Sequence, residues 1–392
     1  ATADAVREPA GPYWLECGAR SARVMCEHGE ESLDIQSTAG IVDAIARSGP
    51  DGGRLHEILL DELEPGQRYD VTLTGPSGAT TTSIQTPPIG GDLSVLVYGD
   101  VRTNHAVHRR VVRQMTTHED VHAVLHTGDF VEVGGRPADW KTYFEIAGPL
   151  LKTRALFPCL GNHEIYGPGG RRRFHRYFMP TAQTEYAAWT YGPVRIISVD
   201  SNDEFGEDSH QLEWLQNELE SARDGEGVRF VVVLLHHGPI SSGRHGDHRR
   251  LRPLGVVDWM RAAKVDLVVS GHDHMYERGT EDGLKYIVTG GGGAPLYDVN
   301  RHHPAQQAFA IQHHFLRLDF EGDAMRLTTI DDEGHDLERC EASGQAGAWR
   351  CALEVGRAQG QPPPTGWQWI LWLAIGLVLF AAALFWRSRL RR

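Results

Sequence analysis

From Leu93 onward the chain repeats one rhythm: a short apolar run, a glycine beside a polar residue, then a longer stretch whose apolar positions fall three and four apart. LSVLVYGD, VHAVLHTGD and ALFPCLGNHE are runs of the first kind, and HAVHRRVVRQM and DWKTYFEIAGPLL between them carry the helical spacing. SHQLEWLQNELESA reads as a helix capped by Ser209 and VVDWMRAAK as another, while RFVVVLLHH, VDLVVSGHDH and LKYIVTGG read as buried strands. Strands and helices alternating in this way predict an α/β sheet. HHFLRLDF and AMRLTTID alternate apolar and polar positions and can pair through the turn EGD.

Upstream the pattern differs. From Gly11 to Pro88 the runs ARVMCE, LHEILL, RYDVTLTG and TTTSIQT are short and β-rich, broken by Gly, Pro, Asp and Ser, with no amphipathic helix among them. They predict an all-β sandwich over 11–88, after a tail at 1–10 and before a linker stiffened by Pro87 and Pro88. LDELEPGQRYDVTLTG resembles the fibronectin type III pattern, with Pro65 and Gly66 in a turn and Tyr69 at the start of a strand.

The end of the chain is different again. Residues 367–386, WQWILWLAIGLVLFAAALFW, are almost unbroken apolar sequence, about 30 Å long as a helix. Trp367, Trp369 and Trp386 flank the run, and Arg387, Arg389, Arg391 and Arg392 follow it. This predicts a transmembrane helix reached through a linker at 336–366, a basic cytoplasmic tail at 387–392, and the bulk of the chain outside. An apolar stretch before terminal arginines is also the pattern of processed bacterial sorting signals.

A net charge of −13, from 39 Lys+Arg against 52 Asp+Glu, argues against nucleic acid as a partner. The numbering opens on Ala1, and the expectation is a removed signal peptide and an exported protein, anchored in a membrane with its catalytic part in the periplasm or at the cell surface. Cys17 and Cys26 are near neighbours, as are Cys340 and Cys351, while Cys159 stands apart. The set is either two short-loop disulfides outside the cytosol or five reduced, buried thiols.

The chemistry is concentrated at strand ends. Asp100, Asp129, Asn162 with His163, His236 with His237, and His272 with His274 each follow an apolar run, the recurrent place for sites in α/β sheets. Carboxylates, an amide and imidazoles suit Mn, Fe or Zn. The series GDVR, GDFVE, GNHE, LLHHGP and GHDHMYER resembles the calcineurin-like metallophosphoesterases, and GHDHMYER after a fibronectin-like stretch resembles purple acid phosphatases in particular.

That resemblance implies a domain over 89–335 with two β-sheets flanked by helices, and two divalent or trivalent metal ions. Asp100, Asp129 and His274 would hold the first ion and Asp129, Asn162, His236 and His272 the second, with Asp129 bridging. The implied activity is acid-phosphatase-like hydrolysis of phosphate esters by a metal-activated hydroxide. Phosphodiesterase or nucleotide hydrolase activity on the same site is the alternative within enzymes, and a metal-stabilised binding or structural protein the alternative outside them.

Beside these ligands, His163 is either the proton donor to the leaving group, oriented by Glu164, or a group that only positions Asn162. His237 is either a phosphate contact or a support. Two positions leave the family pattern: Arg102 stands where purple acid phosphatases have Gly, and Glu132 where they have Tyr. Glu132 is then a replacement ligand or the ion-pair partner of Arg102, and Arg102 a structural charge or a phosphate contact. The run Thr289 to Gly293 either lines the phosphate pocket or lets a strand end pack closely, and Arg171 to Phe178 is read as a solvated basic loop. His105 and His108 lie on the helix after Asp100, as surface or supporting groups.

Overall fold

The apolar runs bury both faces of their strands. In a computed structural model, which describes residues 10–355 apart from 29–32, 50–52, 76–77, 181, 183, 203–204, 207–208, 300, 344–346 and 354, Val95 and Val97 of strand Leu93–Tyr98 enter one core and Leu96 and Tyr98 another. Val232 and Leu234 of Phe230–Leu235 join the first of these cores, and Val231, Val233 and Leu235 form a third. A strand covered on both sides has no polar face, which is why these runs are continuous rather than alternating.

The central sheet has eleven strands in the order Arg350–Leu353, Asp336–Ser343, Ala324–Asp331, His314–Glu321, Leu93–Tyr98, Ala123–His126, Ala155–Pro158, Ala10–Leu15, Ala22–His28, Arg54–Leu60 and Ile41–Ser48. A second sheet of seven runs Ala187–Tyr191, Val194–Val199, Phe230–Leu235, Leu267–Ser270, Leu284–Thr289, Tyr276–Glu281 and Gln306–Ala310. The two sheets face each other across the core that holds Val95, Phe157, Ile196, Val232 and Leu316. Helices His105–Thr116, Pro137–Leu151 and Gly170–Phe178 cover the outer face of the first sheet, and His210–Ser221 and Val256–Ala262 that of the second. The result is a four-layer mixed α/β fold.

The N-terminal strands do not stand apart. Strand Ala10–Leu15 lies parallel to Ala155–Pro158, with Trp14 opposite Ala155. Asp34–Ser37, Arg68–Gly75 and Gly78–Gln85 make a third sheet, whose Val71, Leu73 and Ile84 pack into the same core as Val24, Ile58 and Val95. Trp14 Nε1 donates to Thr82 Oγ1 at 2.8 Å and Tyr13 Oη to the Tyr177 carbonyl at 2.9 Å, so buried polar groups join the layers as well. The strands over 11–88 therefore divide between the central sheet and the small third sheet, and they share one core with the rest of the fold.

Other expectations change too. Residues 336–353, read as linker, contain the hairpin Asp336–Ser343 and Arg350–Leu353, closed by a disulfide between Cys340 and Cys351. Cys17 and Cys26 are buried thiols that are not joined in a disulfide. The register that sets Leu15 against Arg23 places them about five residues apart along the ladder, some 17 Å and beyond a disulfide's reach. Arg171 to Phe178 is not a solvated loop: it lies in helix Gly170–Phe178, with Phe174, Tyr177 and Phe178 in the core. The transmembrane helix and single-helix anchoring are corrected as well. Among the described residues no helix is long and apolar enough to cross a membrane, and residues 367–386 lie outside them.

Candidate functional site

Every residue expected in the site stands past the carboxyl end of a strand or in the loop that follows it. Asp100 follows Leu93–Tyr98, Asp129 follows Ala123–His126, Asn162 and His163 follow Ala155–Pro158, His236 and His237 follow Phe230–Leu235, and His272 and His274 follow Leu267–Ser270. At three of these turns the ligand itself takes the left-handed backbone conformation: φ is 55° at Asp100, 56° at Asp129 and 68° at His272. Non-glycine residues hold such angles only where their surroundings enforce them. Here Asp100 N–H donates to the Gly128 carbonyl at 2.9 Å and Val101 N–H to that of Asp129 at 3.0 Å, which ties the first two loops together. Close approach completes the constraint. A Cβ on Gly128 would lie 2.7 Å from His236 Nδ1, and one on Gly292 would lie 2.3 Å from the Gly99 carbonyl. Of the two readings of the glycine run, close packing against the Asp100 loop is the one these distances fit.

The donors converge. One ligand atom from each of Asp100, Asp129 and His236 lies within 4.8 Å of the others, and the same holds for His236, His237 and His272. His236 is fully buried, and its Nδ1 faces the Thr127 carbonyl at 2.8 Å. A carbonyl only accepts, so that nitrogen carries the proton and Nε2 presents a lone pair. Nε2 points at Asn162 Oδ1, 3.0 Å away, and at Asp129 Oδ1, 3.3 Å away. His274 repeats the device, with Nδ1 2.7 Å from the Pro295 carbonyl and Nε2 3.6 Å from Asp100 Oδ1. Burial holds the imidazoles of His236 and His272 well below the usual histidine range and that of His274 down to about 4. At neutral pH all three are in the uncharged form that binds metal. Burial and the neighbouring charge of Asp129 push the Asp100 carboxyl up, against the opposing pull of Arg102.

Around this centre the supporting roles are redistributed. Glu164 does not orient His163. Its buried carboxylate accepts N–H bonds from Asp129 at 2.8 Å, Gly161 at 2.9 Å and Val131 at 3.2 Å, and so fixes the turn that presents Asp129. Burial and Asp129 raise its pKa to about 8. His163 is oriented instead by the backbone of Glu132: its Nδ1 faces that carbonyl at 2.6 Å, and its Nε2 lies 3.9 Å from Asp129 Oδ2. The Glu132 side chain, 42% exposed, is held by Arg102 Nη1 at 2.9 Å and by Thr103 Oγ1 at 2.5 Å. Arg102 reaches on to Asp129 Oδ2, 3.1 Å from its Nε, and to His274 Nε2, 3.5 Å from its Nη2. The Ser201 hydroxyl accepts the His237 backbone N–H and lies 2.9 Å from His237 Nδ1. Where that hydroxyl donates to Nδ1, the ring proton sits on Nε2 and His237 can act as a donor; where it accepts from Nδ1, Nε2 presents a lone pair.

Three neighbours escaped the sequence reading. The His245 ring lies tilted 4.1 Å from that of His272, Tyr297 lies 4.7 Å from His274 and donates to the His272 carbonyl at 2.7 Å, and Tyr166 Oη accepts from Asn162 Nδ2 at 2.8 Å. His245 sits in the polar loop SSGRHGDHRR, where the density of histidine so soon after His236 and His237 was the one available signal. His105 is exposed, whereas His108 is buried against Tyr143.

Residues 93–276 match the model of the calcineurin-like phosphoesterase family. Among curated proteins, the chain is 25% identical over 265 residues to a probable purple acid phosphatase 20 of Arabidopsis thaliana, covering 62% of this chain and 61% of the plant protein. It is 26% identical over 272 residues to acid phosphatase type 7 of Mus musculus, covering 59% and 60% of the two chains. The aligned regions thus take in only about three fifths of these relatives. Among solved structures, the fold is that of the purple acid phosphatase PPD1 from yellow lupin (Lupinus luteus) seeds, with a TM-score of 0.72 at 18% identity over 86% of this chain and 75% of the other. PhoD follows the same fold with a TM-score of 0.64 at 12% identity, over 90% and 93%.

Proposed function

We propose, on the premise that residues 93–276 belong to the calcineurin-like phosphoesterase family, that this protein is a phosphoric ester hydrolase that cleaves phosphate monoesters at a metal centre. One observation carries the reading: Asp129 Oδ1 and Asn162 Oδ1 stand within 3.3 Å of a His236 Nε2 whose proton is on the other nitrogen. Three atoms that only accept cannot satisfy one another, and although Asp129 Oδ1 also takes the His163 N–H at 3.1 Å, a divalent cation would engage all three. The donor types therefore fit a metal.

The donors divide into two positions that share Asp129: Asp100, Asp129 and His274 on one side, and Asp129, Asn162, His236 and His272 on the other. Purple acid phosphatase-like metallophosphoesterases use a binuclear metal centre, and this division is the one the resemblance implies for these residues. Metal there supplies Lewis acidity and a more acidic water. The protein's own groups do the rest. His163 is anchored through Nδ1 and turns Nε2 toward the space beside Asp129, where the ring, once protonated on Nε2 as well, can hand that second proton to a departing alkoxide and return to the neutral form. His237, where the Ser201 hydroxyl donates to its Nδ1, offers Nε2–H to a phosphate oxygen, and His245 extends the same imidazole cluster toward solvent.

Asp129→Asn tests the assignment, because the substitution removes the charge shared by both positions and changes little else. Elemental analysis should find less bound metal, and hydrolysis across a panel of phosphate monoesters and diesters should fall to background. Full metal content with retained hydrolysis would defeat the reading, and a wild-type preference for diesters would move it to phosphodiesterase on the same site.

A further inference from the structure

Arg102 and Glu132 depart from the family pattern together, and in the fold they meet at one of the two metal positions. Asp129 faces two ways: Oδ1 turns toward His236, and Oδ2 accepts from Arg102 Nε at 3.1 Å. His274 has its Nδ1 against the Pro295 carbonyl, so its Nε2 is a lone pair, and Arg102 Nη2 lies 3.5 Å from it. Two of the three donors at the position of Asp100, Asp129 and His274 thus already face a cation. That cation is permanent, since a guanidinium does not lose its proton in a protein. It is also fixed: Nη1 bonds Glu132 Oε2 at 2.9 Å, Thr103 Oγ1 bonds the same oxygen, and the Arg102 side chain is only 15% exposed. Among the described residues no guanidinium or ammonium meets the other position, where Asn162, His236 and Asp129 face one another and Asp129 Oδ1 accepts only the His163 backbone N–H at 3.1 Å.

We infer that the guanidinium of Arg102, held by Glu132, fills one of the two metal positions, so that the protein holds one metal tightly, on Asp129, Asn162, His236 and His272, and uses Arg102 as its second positive charge. The inference rests on the phosphoesterase reading above. A glycine at 102 leaves the Asp100 side open to a second ion, whereas an arginine satisfies Asp129 Oδ2 and His274 Nε2 directly and repels one. Glu132 then has a reason to stand where the family pattern has tyrosine: a carboxylate anchors the guanidinium, and a phenol would leave it without its ionic partner.

The test is metal stoichiometry of the purified full chain, read by elemental analysis after gel filtration and by calorimetric titration of Mn(II) into chelator-treated protein. Wild type is expected to retain one metal per chain, with any second ion bound about 10- to 100-fold more weakly, the scale on which groups around a ligand set change metal affinity. Arg102→Gly is expected to bind two with comparable affinity, and its Mn(II) spectrum by electron paramagnetic resonance should change from that of an isolated ion to that of a coupled pair. Arg102→Lys keeps the charge and is expected to stay at one. If the glycine variant does not fold, Arg102→Ala is read by the same three measurements. Two tightly held metals in wild type would overturn the inference and leave the phosphoesterase reading standing, as would one metal in wild type, Gly and Ala variants alike. A folded wild type that binds none would overturn both.

Discussion

His163 shows what a single residue's neighbours add to its place in the sequence. Its position after Asn162 left two roles open, and the 2.6 Å approach of Nδ1 to the Glu132 carbonyl narrows them, because a ring fixed at one nitrogen can present the other repeatedly in the same direction. His163→Ala should therefore keep the metal content of wild type. It should slow alkyl phosphates, which need a proton on the leaving group, by roughly 10² to 10⁴ while costing activated aryl phosphates far less. Equal losses on both substrate types, measured as kcat/KM, would return His163 to a positioning role. The residues that converge at the site were legible in the sequence because each follows an apolar run that could only be a buried strand, and a strand end is a fixed point in an α/β sheet. Glu164 was not legible in the same way. Its three acceptor contacts are to backbone amides of Asp129, Val131 and Gly161, and nothing in the residue types at those positions marks them. The same holds for Arg102, whose partners Asp129 and His274 are 27 and 172 residues away.

At the scale of elements, the strand that follows His274 is held from behind by a buried ion pair. Arg278 in Tyr276–Glu281 donates from Nε and Nη2 to the two oxygens of Glu338, both at 2.9 Å, and Tyr276 Oη bonds the same carboxylate. Arg278 is 2% exposed and Glu338 not at all, and the guanidinium stands 5.6 Å from the centre of the Trp349 ring. The final hairpin with its disulfide is thereby clamped onto the strand that follows His274. Removing one partner strands a buried charge, so Arg278→Ala should cost about 3–5 kcal/mol in denaturant unfolding. Replacing both partners, as in Arg278→Met with Glu338→Leu, should recover much of that loss, and a double variant no better than the single one would count against the clamp. The arginine of GHDHMYER was visible in the sequence, but its partner lay in a stretch read as linker. Helix Gly170–Phe178 was missed for a related reason. Phe174, Tyr177 and Phe178 are spaced three and four apart as a buried helical face, but four arginines among nine residues made the segment read as solvated. The strands inside the two main sheets were easier, since apolar runs of that length between glycines and helices admit few other structures.

For the molecule as a whole, the alternation of strands and helices revealed a layered α/β fold but not which sheet edge the N-terminal strands would join. The pairing of Trp14 with Ala155 depends on a free edge and a shared core, neither of which leaves a pattern in the first hundred residues. The same buried layers give the fold a pH dependence apart from its metal ligands. His108 and His314 are fully buried, and burial lowers their pKa values to about 3 and about 4. His314 is bonded on both nitrogens, to Thr289 Oγ1 at 3.0 Å and the Gln312 carbonyl at 2.8 Å, whereas His108 Nε2 has no partner among the described residues. Both are neutral in the folded protein and take a proton near pH 6.5 once unfolded. Below that pH the unfolded state binds more protons than the folded one, so stability is full above about pH 6.5 and falls as pH drops toward 4. At pH 5 each histidine costs about 2 kcal/mol, and the pair about 4, against a total of roughly 5–15 for a folded protein. His108→Phe separates this effect from general acid denaturation, because its ring stacks on Tyr143 at 5.9 Å and gives up no hydrogen bond there. The variant should unfold at a clearly higher temperature than wild type at pH 5 and at nearly the same temperature at pH 8. An equal shift at both pH values would mean that the gain came from packing and that His108 does not set the acid limit of the fold.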